Sequence, residues 1–73
     1  MISFNRFCEE IVQLDLQTPQ SDFCGDWVND QEKPDLNLVD GHQVLVDYLD
    51  ACGACYDAVT AGKRVFKAWM LLG

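Results

Sequence analysis

The opening segment "SFNRFCEEIVQL" constrains this chain more than any other stretch. Phe4, Phe7, Cys8, Ile11 and Val12 recur at i, i+3, i+4, i+7 and i+8, which places them on one face of an α-helix. Ser3 stands in front of them with a hydroxyl that can accept from a free backbone N–H, so a helix is expected from Ser3 to Leu14. Thr18-Pro19 then prevents the same helix from continuing.

Three further helices and no strand follow from the same reasoning. A short second helix is expected over about Asp22 to Asn29, capped by Ser21 and burying Phe23, Trp27 and Val28. Gly25 weakens it, because glycine costs about 1 kcal/mol relative to alanine inside a helix. "DQEKPDLN" is a polar loop containing Pro34. A third helix starts near Asp40, with Gln43 three residues on as in a capping box, and presents Leu45, Tyr48, Leu49 and Cys52 on one side. The fourth begins around Thr60 and carries Val65, Phe66, Trp69 and Met70 inward, with Gly53 and Gly62 as turn residues. The expected fold is all-α: a compact bundle of about four short helices in one domain over residues 1–73. A chain of 73 residues is near the lower limit for folding alone, so a metal, a crosslink or a partner subunit would help it.

Charge narrows the function classes. Twelve Asp and Glu against five Lys and Arg give a net charge of −7. That balance excludes the phosphate attraction on which nucleic-acid binding depends, and it disfavours an anionic membrane. It admits a basic protein surface as a partner, or mimicry of a nucleic acid's charge. All acidic residues lie at or before Asp57, while Lys63, Arg64 and Lys67 cluster near the end. The chain therefore has an acidic body and a basic last helix, although a solvated helix face accounts for the same charges. "MISFNRFCEEIVQ" does not read as a secretory leader, since Glu9 and Glu10 interrupt it. No stretch approaches the roughly 18 apolar residues of a membrane span. The expected compartment is a reducing cytoplasm, with cysteines as thiols.

Cys52 and Cys55 form a C-x-x-C pair in "DACGACYDA". A dithiol redox site wants that pair at a helix N-terminus after a strand; here it follows a helix among Asp47, Asp50 and Asp57, whose charges oppose a thiolate. An all-cysteine zinc site would have to join it to Cys8 and Cys24, sixteen residues apart, whereas such sites use a second close pair. Cys8 on the apolar stripe and Cys24 beside Phe23 read as small core residues, so no metal or other cofactor is expected and the C-x-x-C reads as packing around a helix turn. His42 is the single histidine, and no serine or cysteine has a base positioned for it, so no catalytic constellation is expected. Asp30, Glu32, Asp35, Asn37 and Asp40 are oxygen-rich but do not fit an EF-hand register.

"SFNRF", "TPQSDFCGDWVND", "VDYLD" and "VFKAW" occur in the order seen in the YozE family of small bacterial proteins. The chain resembles that family over nearly its whole length, through Phe4, Phe7, Phe23, Tyr48, Leu49, Phe66 and Trp69. The resemblance implies a SAM-like (sterile alpha motif-like) fold and a mode of assembly in which an acidic surface of one copy meets the basic last helix of the next. The connection "ACGACYDAVTAG", its cysteine pair, Cys24 and Trp27 depart from the family pattern.

Two roles follow as expectations. One is a non-enzymatic interaction module that binds a protein partner or itself through Asp22, Asp26, Asp30, Glu32, Asp35 and Asp40 and through Lys63, Arg64 and Lys67, with the basic cluster facing the Asp30 to Asp40 region of a neighbouring copy. The other is a phage or mobile-element inhibitor that blocks a host defence or nucleic-acid-binding protein with its acidic face. A third, a metal- or redox-responsive switch, would be built on Cys52 and Cys55.

Overall fold

A computed structural model describes residues 2–72. It contains four helices in the order α1 (Phe4–Gln13), α2 (Pro19–Asn29), α3 (Gly41–Ala51) and α4 (Tyr56–Leu71), with no strand among the described residues. The radius of gyration, 11.1 Å, is what a packed domain of this length should have, about 11 Å. The all-α bundle expected from periodicity is the fold observed.

Capping chemistry explains where the helices begin. Ser3 Oγ accepts from the backbone N–H of Arg6 at 3.1 Å, as expected. Thr18 caps α2 in the same way, accepting from Ser21 at 3.1 Å. The second helix therefore starts at Pro19 and not at Asp22: Pro19 ends nothing but occupies the first helical turn, where a missing N–H is harmless. Asp22 lies in that first turn, where a carboxylate suits the positive end of the helix. The capping box at Asp40 does not form, for Asp40 makes no side-chain cap and Gln43 donates instead to Asp47. Asn37 organises that entry, its side-chain oxygen accepting from the N–H groups of Val39 and Asp40.

The link between α3 and α4 is tighter than expected. Gly53 N–H donates to Asp50 O and Ala54 N–H to Leu49 O, both at 3.0 Å. With Gly53 at φ +71°, this is a Schellman termination, in which glycine takes the left-handed position without a Cβ penalty. Cys52 is the C-cap of α3, and Cys55 is already the N-cap of α4. The fourth helix thus begins at Tyr56, four residues before the expected start. Gly62 is no turn residue; it is buried within α4, where a Cβ would lie 2.9 Å from Phe23 and 3.1 Å from Leu49.

α4 is the central element, packing against each of the other three helices. Phe4 is the hub of the core, with ring centroids 5.6 Å from Trp27, 5.6 Å from Phe66 and 5.4 Å from Trp69. Trp69 Nε1 donates to the Ile2 carbonyl at 2.9 Å, tying the start of the chain to α4. Leu45, Leu49 and Val65 complete the interior. Val12, Cys52 and Met70 were expected in the core and are outside it: Val12 is 39% exposed at the edge of the α1 stripe, Met70 is 44% exposed, and Cys52 is exposed at the end of α3. Met70 follows the buried Trp69 by one residue, about 100° round the helix, which turns it off the core face.

Candidate functional site

α1 packs on α2, and both α2 and α3 pack on α4, but α2 and α3 do not pack along one another. That omission leaves a groove of about 310 Å³ between them, closed below by the first turns of α4. Its floor is apolar, made by Phe23 and Trp27 of α2, Leu49 of α3, and Ala58 and Ala61 of α4. Its rim is acidic. Asp22, Asp26 and Asp30 recur every fourth residue along α2, and Asp57 faces the same groove from the start of α4.

Tyr48 bridges the two walls. Its ring meets the edge of Trp27 at 5.8 Å, and its hydroxyl donates to Asp30 Oδ2. Asp30 also accepts from the Glu32 N–H at 2.9 Å. These two donors, Tyr48 first, hold the Asp30 carboxyl below its ordinary pKa. The same bond raises the Tyr48 phenol well above its usual value, because ionising it would set a phenolate against a carboxylate. Lys33 Nζ donates to the backbone carbonyls of Asp30 (2.7 Å) and Val28 (3.4 Å), satisfying the end of α2, and its charge also favours the Asp30 carboxylate. The single ion pair among the described residues is Arg6–Glu10, exposed on α1. Asp22, Asp26 and Asp57 form no ion pair among the described residues.

The expected binding residues divide. Asp22, Asp26 and Asp30 share the groove, whereas Asp35 lies at a separate hollow of about 190 Å³ beside Phe4 and Trp27. Glu32 and Asp40 are exposed in the loop between α2 and α3 and belong to neither hollow. Lys63, Arg64 and Lys67 are exposed together on the outer face of α4. Asp57 and Tyr48 were not among the expected site residues. Their signal was tertiary: α4 starts early enough to put Asp57 in its first turn, and only the gap between α2 and α3 gives Tyr48 something to span.

The cysteines also divide. Cys8 and Cys24 are wholly buried where α1 meets α2, as their positions predicted. Their mutual hydrogen bond, with burial, pushes the Cys8 thiol far above its ordinary pKa, while the same bond lowers that of Cys24. Cys52 and Cys55 are exposed, which corrects the expectation that they are core packing. Their spacing is that of a C-cap and the next N-cap across a left-handed turn, and Cys52 lines the groove beside Tyr48. The two pairs are not brought together, and no three metal-ligating side chains converge among the described residues. No family model, curated protein or solved structure matches the chain. No helix among the described residues is long and apolar enough to cross a membrane.

Proposed function

We propose that this chain is a non-enzymatic protein-interaction module that recognises cationic protein surfaces through its acidic face. The observation that carries the reading is the alignment of Asp22, Asp26 and Asp30 with Asp57 around one apolar groove, none of them in an ion pair among the described residues. Such a face steers a basic partner into contact and disfavours acidic ones. Its own α4 offers one complementary surface: Lys63, Arg64 and Lys67 point away from the core and can meet the acidic face of a second copy. The resemblance to YozE-type SAM-like domains supports that head-to-tail arrangement, with the acidic partner now drawn as residues 22–30 and Asp57 in place of the 30–40 segment. A net charge of −7 also suits the second reading, an inhibitor from a phage or mobile element that covers a basic host protein.

Sedimentation velocity over a concentration series at low and at physiological salt tests self-association. Oligomers that dissociate as salt screens the contact support it. A monomer at low salt and high concentration eliminates it, as does an oligomer indifferent to the triple change Lys63→Ala, Arg64→Ala and Lys67→Ala.

A further inference from the structure

The groove asks two things of an occupant: cations at a fixed spacing for its rim, and apolar side chains for its floor. Asp22 and Asp26 on α2 and Asp30 at its C-cap form a ladder of carboxylates four residues apart, extending about 12 Å along the helix direction. Like charges four residues apart oppose the helix that carries them, so α2 gains when cations come to face them. Between this ladder and Asp57 lies the apolar floor, in a volume suited to a short row of aliphatic side chains and not to a whole second domain.

A second copy's α4 meets only the first requirement. Its Lys63, Arg64 and Lys67 are exposed, but Val65, Phe66 and Trp69 are committed to its own core. Its exposed large apolar side chains stand only at the helix ends, Tyr56 in the first turn and Met70 and Leu71 in the last, and none stands among the three cations. A contact through Lys63, Arg64 and Lys67 satisfies the rim and leaves the floor uncovered. We infer that the groove between α2 and α3 docks a cationic amphipathic helix from another polypeptide, one whose apolar face is free because the segment folds only on binding. Lysines or arginines at four-residue spacing on that helix would face the Asp22–Asp26–Asp30 ladder, and the aliphatic residues beside them would cover Phe23, Leu49 and Ala58. This inference rests on the interaction-module reading and names the partner chemistry for its site.

The test uses the full chain and a labelled model peptide, acetyl-KLLAKLLAKLLAK-amide, with a same-composition peptide whose order destroys the amphipathic face. The amphipathic peptide should bind about tenfold or more tighter than its scramble and gain helical circular dichroism as it binds. The triple variant Asp22→Asn, Asp26→Asn, Asp30→Asn should weaken it about tenfold, and so should Ala58→Phe, which fills the floor and keeps every charge. If Ala58→Phe does not fold, Ala58→Gln places a polar group at the same contact and should weaken binding in the same direction. Equal binding of both peptides overturns the inference, as does binding that no change at position 58 affects, because either result means charge attraction without a groove. Sedimentation of the protein alone reads self-association separately. Salt-sensitive oligomers without peptide preference would sink the groove and keep the module; a monomer that prefers the amphipathic peptide would do the reverse for self-assembly.

Discussion

At the residue scale, identical side chains acquire opposite roles from their surroundings. Gly25 and Gly62 both lie inside helices, yet a Cβ on Gly25 would meet nothing within 4 Å, and one on Gly62 would press into the Phe23 ring. Gly25→Ala should therefore stabilise the protein by up to about 1 kcal/mol through helix propensity and a less flexible unfolded chain. Gly62→Ala should instead destabilise it by about 1–2 kcal/mol, because overpacking exceeds the propensity gain. Urea melts of the two variants check both signs. Tyr48 and Asp30 make a pH prediction. A carboxyl held low when folded contributes stability that is complete above its unfolded pKa and drains as pH falls through the lower folded value, below about pH 4. A phenol held high contributes stability that is complete below about pH 10 and drains as pH rises further. Tyr48→Phe should flatten both limbs of the stability–pH curve while leaving the fold intact by circular dichroism. Limbs identical to wild type would mean that the bond contributes nothing in solution.

At the element scale, periodicity made the helices legible and chemistry at their ends decided the boundaries. The stripe from Phe4 to Ile11 was readable because every side chain in it has the same destination. Pro19 was misread because a proline stops one helix and starts another with the same geometry, and only Thr18 bonding to Ser21 distinguishes the two. "CGAC" has two chemical meanings in sequence and a third in the fold. It joins helices through the left-handed Gly53, and its spacing follows from the turn. α2 also carries a conflict between stability and recognition. Asp26 lies between Asp22 and Asp30 at i±4, so Asp26→Lys should replace two repulsions with two attractions. The expected gain is about 0.5–1 kcal/mol at low salt, shrinking as salt is added. The same variant should lose affinity for a cationic peptide. Thermal melts and peptide titration on one sample would show the opposed effects, and affinity unchanged by the added lysine would place the binding face elsewhere.

At the scale of the whole molecule, the aromatic cluster around Phe4 is what joins α1, α2 and α4. A chain this short has a total stability of roughly 4–11 kcal/mol, while emptying a buried phenylalanine site costs about 3–5 kcal/mol. Phe4→Ala should lower the melting temperature steeply or abolish the cooperative transition, as calorimetry would show. A transition within a few degrees of wild type would mean that the interior collapses around the gap. The groove also belongs to this scale. It exists because α4 serves as the common floor for α2 and α3, whose backbones then need not pack along one another and are bridged by Tyr48.

The sequence by itself determined the all-α class, the four helices, most of the buried face and the separation of an acidic body from Lys63, Arg64 and Lys67. Those properties depend on side-chain period and on net charge, both of which are local or summed along the chain. Tertiary structure alone decided that Asp57 stands opposite Asp22 and Asp26, that Cys52 and Cys55 face solvent, and that Gly62 lies against Phe23. Each depends on which helices pack and at what offset, and that is settled by fitting Phe4, Trp27, Phe66 and Trp69 into one interior.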